Sequence, residues 1–306
     1  MIPATPLHRY TQVTVVFAAL VLFAGAMVTS TGSGMAVPDW PQSFGTWTPK
    51  MTGGVFYEHG HRVVAGALGL LVLGLAAWAA FAERRGWARW LTWGALIAVL
   101  SQAALGGLTV LRGTFNSWSH TDPVFSAMHA SLAQALFGIL VAYAAVSAPG
   151  WQAAPAHGAP KAQARWARAL VVLVYVQIVV GAVMRHQHAG LAIPDFPASY
   201  GGVVPTFYNW LVALNFAHRC GAWLLVVAGT WLAWRVAADQ SLDPWLRQPA
   251  WVLLGAIAAQ FLLGACVVWT QLGLPILTSA HVLGGAVVFT SALVLALRLG
   301  RASQAD

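Results

Sequence analysis

The chain has 306 residues, of which 59% are hydrophobic and only 8% charged, with a formal net charge of +8. Soluble domains carry about 25% charged residues, so this composition, with a mean hydropathy of +0.69, excludes a water-soluble globule. The 16 Lys and Arg are spread over short connections rather than gathered in one run, which argues against a nucleic-acid partner and for membrane orientation.

A bilayer core takes about 20 apolar residues of helix. Eight such runs occur, at about 10–29, 61–82, 90–111, 124–148, 169–187, 214–237, 250–272 and 278–298. Each is predicted to be a helix, because a helix satisfies its own backbone in lipid. The fold class is therefore all-α integral membrane protein with eight crossings. Arg9, Arg84, Arg85, Arg89, Lys161, Arg165, Arg168, Arg235, Arg247, Arg298 and Arg301 fall on one side of this topology, and Lys50, Arg62, Arg112, Arg185 and Arg219 on the other, a split of 11 against 5. By the positive-inside rule both termini are cytoplasmic.

The Trp residues near run ends, such as Trp87, Trp90, Trp118, Trp210 and Trp245, fit interfacial anchoring. The first run, followed by TSTGSGMA, imitates a signal peptide, but its length and the repeat described next favour a retained helix. Cys220 and Cys266 are expected to be buried free thiols. The tail after Arg298 is short and polar and is expected to be disordered.

The chain is written twice. GMAVPDWP at 34–41 returns as GLAIPDFP at 190–197, 156 residues on. His61 and Arg62 return as His218 and Arg219 after 157 residues, and QAALGG at 102–107 as QFLLGA at 260–265 after 158. His129 in the fourth run matches His281 in the eighth at an offset of 152, once six residues are removed from the preceding loop. Each half holds four crossings, an even number, so both enter the membrane in the same sense as parallel, pseudo-symmetric four-helix bundles. The predicted division is an N-terminal bundle at 1–148, a cytoplasmic linker at 149–168 rich in Ala, Pro and Gly, and a C-terminal bundle at 169–306. Small residues one turn apart, such as Gln102 with Gly106, suit close helix contacts.

Of the ten histidines, topology places His8 and His157 on the cytoplasmic side and His59, His120, His186 and His188 in or beside outer loops. The four that recur, His61, His129, His218 and His281, begin the second, fourth, sixth and eighth crossings at similar depth. An ionisable group there is costly and faces the bundle interior or a cavity. A hydrogen bond to a neighbouring helix explains any one alone; two matched pairs suggest two imidazoles facing across each bundle, as axial ligands hold a heme iron. No Cys or carboxylate cluster completes a tetrahedral zinc set in both halves.

Glu58 and His61 are three apart and share a helix face. Arg62 and Arg219, each directly after a candidate ligand, suit heme propionates through their planar fork; anchoring to lipid phosphate is the alternative. Three before His218 stands Asn215, so only one half has an acid beside its histidine. One site doing chemistry and the other relaying electrons accounts for this; a hydrogen bond from Glu58 to His61 or His59 is the plainer account.

EHGHR at Glu58 to Arg62, NFAHR at Asn215 to Arg219, the twice-occurring GxAxPDxP, RHQHAGLAIPDFP after the fifth crossing, and His129 and His281 together resemble the heme A synthase family along essentially the whole chain. The resemblance implies a multi-pass protein of the cell inner (plasma) membrane. It would oxidise a ring methyl of heme O to a formyl group by successive hydroxylations and loss of water. It implies heme b held by His218 and His281, substrate heme O held by His61 and His129, and Glu58 as the essential acid, moving protons or stabilising positive charge at the methyl carbon. A heme O synthase and cytochrome oxidase assembly factors are the implied partners. Many relatives carry cysteines in the outer loops; here Val37 and Ile193 stand beside the prolines and neither loop has Cys. That excludes thiol exchange there and leaves Asp39 and Asp195 as structural residues. A diheme cytochrome that only carries electrons, and a transporter with internal repeats, are the rival readings.

Overall fold

A computed structural model describes residues 5–115, 121–154 and 158–303, the side chains of Phe115 and Gln152 apart. Trp118, His120 and His157 lie outside the described residues. Eight long helices, α1 (Pro6–Ser30), α2 (Gly54–Ala82), α3 (Gly86–Phe115), α4 (Pro123–Ser147), α6 (Lys161–His186), α7 (Trp210–Ala238), α8 (Pro244–Trp269) and α9 (Pro275–Ala302), are joined by the short α5 (Pro149–Ala153). All eight are long and apolar enough to cross a membrane. Their outer faces carry exposed Leu20, Leu70, Ile97 and Val227, a surface that lipid tolerates and water does not.

The helix starts follow local chemistry. Pro stands at the first turn of α1, α8 and α9, where a missing N–H costs nothing. Thr5, Asn209 and Asp243 accept from the first-turn N–H groups of His8, Val212 and Trp245, satisfying donors that have no partner inside the helix. Asp122 does the same for Val124 and Phe125 at the start of α4.

Backbone contacts group the chain into two compact units. One holds the described residues up to Ala144 together with Thr278–Leu283; the other holds Ala145–Leu277 and the chain from Gly284. In the first, α2 packs on α1 and α3 and buries Leu68, Val72, Leu75 and Ala79, a stripe three and four residues apart. Tyr10 reaches the Leu71 carbonyl at 3.0 Å, and Ser30 bonds Ser279 at 3.0 Å, tying 278–283 to α1. In the second, α7 packs on α6 and α8, and Leu170, Val174, Leu232, Val236, Leu253 and Leu299 share one core.

Three expectations are corrected. The helix of the fifth crossing begins at Lys161, eight residues before the apolar run expected from 169. Its first turns are amphipathic, with Ala164, Ala167 and Leu170 buried and Arg165 and Arg168 exposed, so hydropathy alone misses them. The tail continues as helix to Ala302, held where Arg298 donates to the Trp245 carbonyl at 2.6 Å and Arg301 lies 5.1 Å from the Trp151 ring. Cys220 is exposed and Cys266 only half-buried, although both are free; Cys220 points away from the buried stripe of α7.

Candidate functional site

The site begins in the loop between α1 and α2. Ser43 and Thr46 exchange backbone hydrogen bonds around Phe44 and Gly45, both with positive φ (54° and 71°), the geometry of a tight two-residue turn. Asp39 accepts from the N–H groups of Phe44 and Gly45 at 2.7 and 2.8 Å. These bonds, Gly45's foremost, hold its carboxyl below the usual carboxylate value. Arg62 on α2 donates to the carbonyls of Asp39 (2.7 Å), Gln42 (2.8 Å) and Val37 (3.4 Å) and pairs with Glu58 at 2.5 Å. The other Glu58 oxygen accepts from the Val37 N–H at 2.9 Å. Glu58 is 4% exposed and Val37 is fully buried, so this ion pair is largely shielded from solvent and strengthened for it. His59, also buried, bonds Ser43 at 2.8 Å.

The loop between α6 and α7 has the same turn at Ser199–Gly202 with Asp195 in the place of Asp39. The N–H of Gly201, then that of Tyr200, lower its carboxyl in the same way. Arg219 donates to the carbonyls of Asp195 (2.7 Å), Ala198 (2.8 Å) and Ile193 (2.7 Å). Its Nε donates to Asn215 Oδ1 at 2.9 Å, while Asn215 Nδ2 donates to the carbonyls of Ala189 and Gly190. Asp39 and Asp195 are thus turn-forming residues, as expected. Both arginines, assigned to heme propionates from sequence, have most of their N–H groups on loop carbonyls.

The histidines come next. His61 on α2 and His129 on α4 lie near enough to interact electrostatically. Nδ1 of each ring is buried without a hydrogen-bond partner among the described residues. Each ring edge rests on a glycine: a Cβ at Gly25 would stand 2.9 Å from His61 Cε1, and one at Gly106 would stand 3.2 Å from His129 Cε1. Gln102 donates to the His129 carbonyl at 3.0 Å, locking α4 against α3. On α7, His218 rests on Gly181 at the same 2.9 Å, and its Nδ1 lies 3.0 Å from the Gln177 amide nitrogen, which also donates to the His218 carbonyl. His61 and His129 share one unit; His281, in Thr278–Leu283, groups with that unit, and His218 with the other.

Among the described residues no three His, Cys, Asp or Glu converge as a metal site. A heme iron asks for less, because the porphyrin supplies four nitrogens and the protein only axial ligands. Two imidazoles in one unit, each with a buried, unspent Nδ1 and seated where even a methyl group would intrude, fit that demand.

The profile of the COX15-CtaA family, described as cytochrome oxidase assembly protein, matches residues 50–293. The chain belongs to this family. Its relatives include proteins named heme A synthase. That of Symbiobacterium thermophilum is 34% identical over 259 residues, covering 80% of each chain. That of Geobacillus kaustophilus is 29% identical over 92% of this chain and 89% of its own, and that of Geobacillus thermodenitrificans 28% over 96% and 93%.

Within this COX15-CtaA chain, the glycine seats and Gln177 escape a reading of motifs alone. The signal was present: the repeat extends upstream of GMAVPDWP, aligning Gly25 with Gly181 at the same offset of 156. The same offset pairs Gln177 with Val21. Gly221, against which the Gln177 side chain packs, pairs with Val64 at an offset of 157.

Proposed function

We propose that this membrane protein is a heme A synthase, an oxidoreductase that converts one ring methyl of heme O to a formyl group by successive hydroxylations and loss of water. The observation that carries the reading is that His61 and His129 share one unit and each rests on a glycine with a buried, unpartnered Nδ1, in the half that also has a buried carboxylate one turn from His61 at Glu58. His61 and His129 hold the substrate heme O. His218 and His281 ligate a retained heme b, which supplies electron transfer when bound.

The halves are parallel, pseudo-symmetric four-helix bundles at 1–148 and 169–306, joined by 149–168, with cytoplasmic termini. The recurrence of the loop turn, the arginine clamp and the glycine seat at matching repeat positions supports this arrangement. Glu58 is the catalytic acid-base group. Held between the Val37 N–H and Arg62, it offers a fixed negative charge to a carbon becoming positive and an acceptor for the proton released. Asn215 offers neither. Arg62 and Arg219 bind heme chiefly by fixing the loops over it, with Nε of Arg62 left for a propionate. A heme O synthase upstream and oxidase assembly factors downstream are the expected partners.

The test is mass analysis of hemes extracted from cells that make heme O, with and without this chain. Appearance of a formyl-bearing heme supports the synthase; unchanged heme O beside a purified protein rich in heme b makes it an electron-carrying cytochrome. In the purified protein, His218→Ala and His281→Ala each abolish retained heme b, and normal heme content in both removes them as ligands.

A further inference from the structure

The α1–α2 and α6–α7 loops differ in how they are fastened to the next helix. In the second half Phe196, the aromatic residue of PDFP, sits in a group of rings. Its centroid lies 5.9 Å from that of Phe261 and 6.3 Å from that of Trp269 on α8, and Phe261 packs on Trp223 of α7 at 4.8 Å. Arg219 stacks on Phe196 at 5.7 Å. Trp269 Nε1 donates to the Phe196 carbonyl at 3.1 Å, and Gln271 donates to the Pro194 carbonyl at 3.0 Å.

The repeat gives the first half no such rings. Phe261 corresponds to Ala103, Trp269 to Leu111 and Gln271 to Gly113 at an offset of 158, and Trp223 to Gly66 at 157. Trp40, in the place of Phe196, lies flat on Gly107 of α3, with ring atoms 2.9 to 3.1 Å from where a Cβ would stand. Thr114 Oγ1 donates to the Pro38 carbonyl at 3.0 Å. An indole resting on a glycine surface has few contacts to lose as it lifts; a ring held between two others, under a guanidinium and with its carbonyl bonded, has to break each contact to leave.

We infer that the aromatic latch of Phe196, Trp223, Phe261 and Trp269 makes the C-terminal site retentive, and that the N-terminal loop, which has no such latch around Trp40 among the described residues, is the lid through which heme O enters and its product leaves. The inference rests on the assignment of the retained heme to the C-terminal half. Trp40 is the moving cover: it lies on Gly107, and the residue before it on α3, Gly106, seats His129, so the loop rests on the helix that also supports the substrate's ligand. The latch residues hold the loop and Arg219, the side chain that fixes three of its carbonyls, and so act on retention.

The experiment measures loss of heme b from the purified full chain in detergent to excess apomyoglobin. Phe261→Ala with Trp269→Leu, the first half's chemistry, loses heme b about tenfold faster than wild type, as expected for losing three ring contacts and a hydrogen bond. Trp269→Phe, which keeps a ring and removes the N–H, falls between and guards against a folding defect. Conversely, Ala103→Phe with Leu111→Trp slows multiple-turnover conversion of heme O severalfold and leaves heme b content unchanged. Wild-type heme b loss in both latch variants overturns the inference. If His218→Ala also keeps its heme, the site assignment fails instead, and the two failures are told apart by that variant alone.

Discussion

In each half an arginine directly after a helix histidine holds three loop carbonyls, yet the residue four before it is Glu58 in one half and Asn215 in the other. Asn215 serves the arginine with its oxygen and the loop carbonyls with its nitrogen. An amide is therefore enough to build this corner. Glu58 takes up the Val37 N–H instead, and it places a negative charge where burial makes charge expensive. A carboxylate kept at that cost, where its repeat partner is neutral, is consistent with the catalytic role proposed for Glu58.

The sharpest way to break this comparison is to make the first half like the second. Glu58→Gln preserves size and one acceptor oxygen for Arg62, so heme b content and expression stay at wild-type level. Formation of the formyl product falls by about 10² to 10⁴, the usual range for removing an acid-base group. Product mass and heme content measured on one preparation check both halves of the statement. A Glu58→Gln enzyme working at the wild-type rate reduces the difference between Glu58 and Asn215 to loop construction.

The glycine seats give the next largest effect and separate the two sites. Gly25→Ala and Gly181→Ala each place a methyl group 2.9 Å from an imidazole carbon, so the ring shifts by a few tenths of an ångström. Misplacement of that order costs up to about tenfold in a positioned reaction. Gly25→Ala raises KM for heme O and leaves heme b intact, whereas Gly181→Ala depletes heme b on purification, read from the absorbance of the purified protein. Identical outcomes from the two variants contradict separate roles for His61 and His218. Gln177→Val, which copies Val21, weakens heme b retention less, because the seat at Gly181 remains.

Much of this was legible beforehand. Eight helices follow from hydropathy, and the candidate histidines, arginines and Glu58 follow from a repeat that keeps functional residues aligned. What hydropathy hides is amphipathic helix: from Lys161 to Arg168 the buried positions are Ala164 and Ala167 while Lys161, Arg165 and Arg168 stay exposed, and a sliding average sees a linker. What motif reading hides is the negative space of a site. Gly25 and Gly106 matter for the side chain they lack, and a glycine in a membrane helix is too common to signal that unaided. Arg62 shows a third limit. Sequence places a guanidinium beside a candidate heme ligand, but only the folded loop shows three carbonyls already turned toward it.

The smallest effect separates the loops by pH. Asp39 and Asp195 both sit below the ordinary value of 3.8, chiefly through the N–H groups of Gly45 and Gly201. A carboxyl depressed on folding contributes stability that is complete above its unfolded value and disappears as pH falls through the folded one. Both turns therefore hold from neutral pH down to about 4 and loosen only in more acid solution. Asp39→Asn and Asp195→Asn weaken the turns at every pH, since an amide is a poorer acceptor for two N–H groups. The consequences are unequal. The second loop keeps the bonds from Trp269 and Gln271 and its ring cluster, whereas the first has the bonds of Arg62, Glu58, His59 and Thr114 and no ring cluster among the described residues. Hydrogen exchange at neutral pH, read over 39–46 and 195–202, rises more in Asp39→Asn than in Asp195→Asn. Equal rises show that the aromatic latch adds nothing to the closure of its own loop.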